Sequence, residues 1–358
     1  MDHYLQKIVQ EFDEFQDISL KISQNASWRE AMNSQQQQNI IKKLDLEAKN
    51  NQNIQIEINS NSPSKSKSKK NSLIKSPLRY PGGKSRAIKQ ISKQLPQKLL
   101  DYREPFVGGG SVFIYLKQMY PNIKIWINDL NPEVYLFWKI AQSDLKELVT
   151  ALRQIKLTCT DGRKLFKELT SVSVQELSEL ERAVRFFVLN RITFSGTIES
   201  GGFSHQSFLK RFTDSSIDRL ANLATILQDI KITNLDYNEV LTPPGKDVFI
   251  FLDPPYFTAT ISRLYGKDGH LHTSFEHQKF AQNMIECQHQ WLITYDNCQE
   301  IRDNFQNFIM IDWELQYGMN NYQQGKAEKG QEIFIRNYHL EDHLSRDDCQ
   351  YQQLSLNF

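Results

Sequence analysis

From Pro77 onward, short apolar runs alternate with stretches of helical periodicity, and few folds accommodate that alternation. The strand candidates are Arg103–Val107, Ile123–Asn128, Ile230–Thr233, Val248–Leu252, Trp291–Tyr295, Phe308–Trp313 and Glu332–Asn337, most of them rich in Ile, Val, Phe or Trp. Helical patterns fall at about 84–95, 110–119, 132–141, 214–228 and 275–288. Strand and helix in turn predict an α/β domain with a mostly parallel central sheet. Residues 142–212 interrupt the alternation with helical and then Gly/Ser-rich sequence, as an inserted, mainly helical subdomain would.

The first part of the chain has a different texture. Gln35–Gln38 and Asn50-Asn51-Gln52-Asn53 are polar runs, and Ser62–Lys70 alternates serine with lysine around one proline. Such composition buries too little apolar surface to offset the entropy of ordering, so residues 49–76 are expected to form a flexible linker. Residues 1–48 carry apolar positions at approximate helical spacing (Tyr4, Ile8, Phe12, Phe15), with no role legible. The expected division is therefore a segment 1–48, the linker, a core built from 77–141 and 213–338 around the insertion, and a tail from 339 to 358.

Charge sharpens the picture. The 358 residues carry 43 Lys and Arg against 42 Asp and Glu, a net charge of +1 that would count against a polyanionic partner if it were spread evenly. Between Ile58 and Leu100 there is no acidic residue, whereas eleven basic ones run from Lys65 to Lys98. Neutrality thus arises by cancellation. No apolar run approaches the roughly 18 residues of a membrane span, and Met1 is not followed by a basic-then-apolar leader, so a cytoplasmic protein is expected. Cys159, Cys287, Cys298 and Cys349 are too dispersed for a disulfide framework or a cysteine-based zinc site. His270, His272 and His277 lack partners that would complete a metal set, so no metal is expected and these histidines are expected on loop and helix surface.

Three motifs carry chemistry. Phe251-Leu252-Asp253-Pro254-Pro255-Tyr256 runs off the end of a strand candidate, where open α/β sheets bind ligands. Two prolines stiffen the backbone and remove two donors, leaving carbonyl acceptors beside the Asp253 carboxylate. That set suits a planar amino group with two N–H bonds to give, with Tyr256 available to stack on its ring. A strand-terminating Asp-Pro turn is the structural alternative. Glu104-Pro105-Phe106-Val107-Gly108-Gly109-Gly110-Ser111 places consecutive glycines at a strand-to-helix junction, where a ligand can approach the backbone closely. About twenty residues on, Asp129 ends the next strand candidate and can accept from ribose hydroxyls or cap the following helix. In Arg79-Tyr80-Pro81-Gly82-Gly83-Lys84-Ser85, Gly83-Lys84-Ser85 invites a phosphate-loop reading. That reading fails because Leu78 stands where the loop needs its first glycine.

In chain order, with the glycine-rich motif first, an intervening segment next and Asp-Pro-Pro-Tyr last, the motifs resemble the Dam-like DNA N6-adenine methyltransferase family over roughly Pro77 to Tyr338. The resemblance implies an S-adenosylmethionine-dependent methyltransferase fold and methylation of the exocyclic amine of a flipped adenine in double-stranded DNA. By motif position it implies Tyr80, Lys84, Phe106, Gly108, Gly110, Asp129, Asp236, Tyr237 and Asp253 as cofactor-binding, and Asp253, Pro254, Pro255 and Tyr256 as catalytic. Leu292–Asn297 and Lys329–Ile335 are similar to the family's later strands. The segment Asn190–Ser204 resembles its DNA-facing loop, with Arg191, Phe194, Ser195, Glu199, Ser200, Lys210 and Arg211 as DNA-contact candidates. Relatives that read GATC carry an arginine where this chain has Ser200 beside Glu199, so a GATC target is not carried over. A monomer or weak dimer is expected, and a cognate restriction endonuclease stays open as a partner. Two other readings remain beside adenine methylation: transfer to another planar amine (cytosine N4, RNA adenine, protein glutamine), and an inactive DNA-binding relative.

The serine-lysine linker either holds the DNA backbone nonspecifically or merely solubilises a tail; on the first reading, deleting residues 1–75 weakens DNA affinity and flattens its salt dependence with sequence preference intact. Filter binding across a salt series checks this; unchanged affinity at every salt concentration rejects it.

Overall fold

The computed structural model describes residues 27–33, 73–80, 82–198, 201–257, 275–315 and 330–340. Seven strands form one sheet: β1 (Asp101–Glu104), β2 (Lys124–Asn128), β3 (Lys231–Thr233), β4 (Val248–Leu252), β5 (Gln290–Asp296), β6 (Ile309–Leu315) and β7 (Gly330–Arg336). Their spatial order is β3-β2-β1-β4-β5-β7-β6. All pairs from β3 to β5 are parallel, whereas β7 slots antiparallel between β5 and β6. The sheet is thus mostly parallel, as the alternation of strand and helix predicts. All five residues of β4 are buried, as expected of a central parallel strand covered on both faces.

The strand order reverses at β1, which lies between β2 and β4. Chain leaving the carboxyl ends of β1 and β4 diverges there and opens a crevice, the switch point at which such sheets bind ligands. Beneath it Ile250, Leu252, Trp291, Ile293, Ile333 and Ile335 pack with Phe280 and Met284 of the helix His277–Glu286. Each side chain buried this way contributes about 1.5–3 kcal/mol.

Two sequence expectations shift locally. β1 ends at Glu104 rather than Val107, because Pro105 has no N–H to extend the ladder. The helix expected over 84–95 is split into a 3-10 turn, Lys84–Arg86, and a helix, Ile88–Ser92.

The chain divides into two compact units: Met1–Tyr80 with Leu136–Gln228, and Pro81–Tyr135 with Asp229–Phe358. The second holds the sheet. The first is helical. Glu179–Ile192 packs against Leu145–Thr158, Gly162–Ser171 and His205–Arg211, while Asp214–Ala221 packs on Leu145–Thr158. Ser178 opens the central helix with a capping box closed by Glu181. The helical unit is therefore larger than the expected 142–212, since Ile217, Leu220 and Leu223 bury their side chains in it.

Ser27–Asn33 is the described part of the N-terminal segment; Tyr4, Ile8, Phe12 and Phe15 lie outside the described residues. The short helix Trp28–Asn33 packs on Leu145–Thr158. Trp28 is buried, its N–H donates to Glu168 (3.2 Å), and Arg29 pairs with Glu181 (2.8 Å). Most of the expected linker is outside the described residues, but its end is not loose, since Ser76 is buried. Trp28→Ala should lower unfolding free energy by about 3 kcal/mol, the cost of emptying a buried aromatic site. Urea denaturation measures it, and a loss under about 0.5 kcal/mol would mean the contact is not stabilising.

Candidate active site

Past β1, the chain turns at Pro105–Gly110 and enters the helix Ser111–Met119. Gly108 (φ 43°) and Gly110 (φ 68°) adopt left-handed backbone that side-chain-bearing residues resist. The loop is held by β2. Val107 N–H donates to the Asn128 carbonyl (2.9 Å), and Gly108 N–H donates to Asp129 Oδ2 (2.9 Å). Buried Asn128 ties three segments together: its amide donates to the carbonyls of Pro105 (3.1 Å) and Leu235 (3.0 Å). Its oxygen accepts from Thr233 (2.8 Å) and from Leu235 N–H (2.9 Å). The expected adenine-contact pair follows directly, with Asp236 exposed and the Tyr237 ring 5.5 Å from that of Phe106. Both oxygens of Asp129 hold backbone N–H groups, Oδ1 taking Asn131 (2.9 Å), while burial pushes the carboxyl up to about 6.

Past β4, Asp253 meets Lys84. The ammonium is buried, 2.6 Å from Asp253 Oδ1 and 2.8 Å from the Gly82 carbonyl, and lies 4.9 Å from the centre of the Tyr256 ring. Thr294 on β5 donates to the same Oδ1 (2.9 Å). Oδ2 makes no hydrogen bond among the described residues. Pro254 is buried and Pro255 half-buried. The Tyr256 hydroxyl donates to Glu332 Oε2 on β7 (2.5 Å). On the β1 side, buried Glu104 accepts from Tyr102 (2.8 Å) and from Phe113 N–H (3.1 Å), and burial pushes it up to about 8.

A carboxylate with one oxygen free of donors among the described residues, a left-handed glycine loop and an anchored acidic residue now stand at one end of one sheet. A model of the D12 class N6 adenine-specific DNA methyltransferases matches residues 80–319. The chain belongs to this family. It is 28% identical over 202 residues to the Type II methyltransferase M.MjaIII of Methanocaldococcus jannaschii, covering 51% of this chain and 69% of that one. Type II methyltransferase M.CviBI of Paramecium bursaria Chlorella virus NC1A is 22% identical over 276 residues, covering 74% of this chain and all of its own. A DNA adenine methylase of Vibrio cholerae is 24% identical over 185 residues, 50% of this chain and 64% of that protein.

The methyltransferase thus gathers Lys84, Phe106, Gly108, Gly110, Asp129, Asp236, Tyr237 and Asp253–Tyr256 in the sheet unit, whereas Tyr80 belongs to the helical unit. Thr294 and Glu332 escaped residue-by-residue reading, although both lie within runs similar to family strands. For Thr294 the signal was a polar residue inside the apolar run Trp291–Tyr295; Glu332, preceded by Gly330 and Gln331, offered none. His277 is also corrected: it is buried, with Nδ1 against the Tyr295 hydroxyl.

In the helical unit, Arg191 departs from expectation. The residue is 2% exposed and its guanidinium lies over the Phe187 ring (5.4 Å), with Nε and Nη2 lacking hydrogen-bond partners among the described residues. The long apolar helix Glu179–Ile192 carries it inward. Burial, with Arg219, Arg79 and Arg211 nearby, pushes it down to about 9. Phe194, by contrast, is 67% exposed on a turn where Ser195 (φ 56°) and Gly196 (φ 80°) are left-handed. A Cβ at Gly196 would sit 2.2 Å from the Arg79 carbonyl, so the turn admits only glycine there. Asn190 pins it, accepting from Arg79 N–H (2.9 Å) and donating to the carbonyls of Arg79 (2.6 Å) and Gly196 (3.3 Å). Lys210 and Arg211 are exposed; Glu199 and Ser200 lie outside the described residues.

Among the described residues no helix is long and apolar enough to cross a membrane. Thr294→Val keeps the side-chain shape and removes a donor to Asp253, so methyl transfer should slow about tenfold, one lost charged hydrogen bond. Single-turnover rates check this, with DNA affinity expected to stay within about twofold.

Proposed function

We propose that Asp253, Pro254 and Tyr256 hold a flipped adenine of double-stranded DNA for direct methylation, with S-adenosylmethionine taken up beyond β1 and β2. The observation that carries this reading is Asp253 Oδ2, a carboxylate oxygen at the tip of β4 with no protein donor while Oδ1 holds Lys84 and Thr294. Adenine's amino nitrogen is a poor nucleophile because its lone pair is delocalised into the ring. Acceptance of its two hydrogens by Oδ2 and the Pro254 carbonyl lets the nitrogen pyramidalise, and Tyr256 stacks on the base. Asp253 next takes or relays the proton that the methylated amine must lose. Positioning and fixed charge supply the acceleration, with no covalent enzyme intermediate.

The residues fit the cofactor. When bound, it supplies an electrophilic methyl group on a sulfonium sulfur. Left-handed Gly108 and Gly110 let a ligand approach the backbone. Asp129 spends one lone pair of each oxygen on backbone and keeps the others for ribose hydroxyls. The aromatic group of Phe106, Tyr237, Phe275 and Phe280 provides a surface for an adenine ring.

On the DNA side, exposed Phe194, Lys210 and Arg211, with Arg79, contact the duplex. Arg191 acts by keeping that face electropositive, since none of Arg79, Arg191, Arg211 and Arg219 forms an ion pair among the described residues. Glu199 and Ser200 direct the enzyme to a sequence other than GATC, a carboxylate accepting only from amino groups such as cytosine's. The chain acts as a monomer or weak dimer. The Type II names of its relatives support pairing with a cognate restriction endonuclease.

Asp253→Ala should abolish methylation, by about 1,000-fold or more, with S-adenosylmethionine affinity within about threefold. Calorimetry and single-turnover kinetics measure the two. Comparable turnover sinks the assignment. Single-molecule sequencing of a plasmid methylated by the wild type should find N6-methyladenine in one short sequence that is not GATC.

A further inference from the structure

Glu332 has no part in the chemistry described above, yet it sits at its centre. It projects from β7, in register with Asp296 of β5 on one side and Trp313 of β6 on the other, and is 1% exposed. One oxygen accepts the Tyr256 hydroxyl at 2.5 Å; the other, Oε1, has no hydrogen-bond partner among the described residues. A carboxyl group in that position is costly to ionise unless a positive charge is near. The charged or titratable groups facing it are Lys84 from the 3-10 turn, Asp253 and Tyr256 from the loop after β4, and Asp296 from the end of β5; β6 offers the indole of Trp313. Lys84 is the sole cation among them, and it is already paired with Asp253.

We propose that Glu332 is a positioning residue that competes with Asp253 for the Lys84 ammonium, so that its ionisation strengthens Asp253 as acceptor of the adenine amino protons. With Glu332 protonated, the ammonium is committed to Asp253 and drains charge from the carboxylate that must polarise the amine. Loss of one proton from Glu332 to solvent gives the ammonium a second anion and returns electron density to Asp253. The same ionised carboxylate draws the Tyr256 hydroxyl toward it and fixes the stacking ring. Burial pushes Glu332 up to about 7; Lys84 and the Tyr256 hydrogen bond pull it down, and Asp253 and Asp296 push it up again.

The inference rests on the assignment of Asp253 as acceptor, and the experiment separates the two. Single-turnover methylation by the full chain is followed from about pH 5.5 to about pH 8.5 for the wild type, Glu332→Gln, Glu332→Asp and Asp253→Asn. The wild-type rate should rise about tenfold through a midpoint near 7, the order by which one unit charge alters a contact in a partly buried site. Glu332→Gln keeps the contact with Tyr256 but cannot ionise. It should lose this rise and stay at the low-pH rate, with DNA and S-adenosylmethionine affinities within about threefold. Glu332→Asp should restore a rise with a displaced midpoint. Isotope-edited infrared titration should show a carboxylic acid that ionises with the same midpoint in the wild type and is absent from Glu332→Gln.

A Glu332→Gln enzyme with the wild-type profile, or one already at the high-pH rate at low pH, overturns the proposal. If the glutamine variant does not fold, an unshifted midpoint in Glu332→Asp overturns it instead. Activity retained by Asp253→Asn would defeat the underlying site assignment, whatever the Glu332 variants do.

Discussion

One buried ammonium governs the site. Lys84 is nearly inaccessible, and a charge taken from water is tolerated only when paired and hydrogen-bonded. Its neighbours are arranged accordingly: Asp253 opposite, the Gly82 carbonyl beside it, the Tyr256 ring beneath. The same scarcity of positive charge explains the carboxyls around it. Glu104 and Glu332 both hold protons above the ordinary glutamate range, because burial opposes ionisation and the negative charge of Asp253 adds to it. Carboxyls that accept from Tyr102 and Tyr256 form a shell whose charge is set by burial rather than by count.

That shell can exist only because the sheet is built as it is. Parallel strands send all their carboxyl ends to one edge, and the reversal of order at β1 parts the loops that leave β1 and β4. Asn128 then does for three loop segments what a strand ladder does for strands, spending donors and acceptor on the backbone around Pro105, Thr233 and Leu235. In the helical unit Asn190 plays a similar part, pairing with both backbone groups of Arg79 and holding the turn that presents Phe194. Asparagine suits both places because one planar amide offers donors and acceptor without charge.

Much of this was legible in the chain. Val248–Leu252 reads as a strand because five apolar residues precede a proline pair, and the observed strand has those bounds. The loop Glu104–Ser111 reads as a ligand loop because consecutive glycines let a ligand approach the backbone, and Gly108 and Gly110 are left-handed as glycines readily are. Thr294 and Glu332 were opaque for a different reason. Each meets the Asp253–Tyr256 loop across 41 or 76 residues of chain, and nothing in local periodicity records which strands become neighbours. Arg191 misled in the opposite sense. A cation near a Gly/Ser-rich loop reads as surface, but the helix that carries it is buried over its last ten residues.

The sequence by itself determined the class of fold and the chemistry of the tip of β4, since backbone restriction by Pro254 and Pro255 and the side-chain type of Asp253 are local properties. It also determined that opposite charges are segregated along the chain. Only the tertiary structure decided that β7 enters between β5 and β6, bringing Glu332 to Tyr256. Only it decided that Lys84 leaves the basic run to serve as a buried counter-ion. Strand order and burial depend on how the whole apolar surface is shared among elements, a global minimum that no single segment encodes.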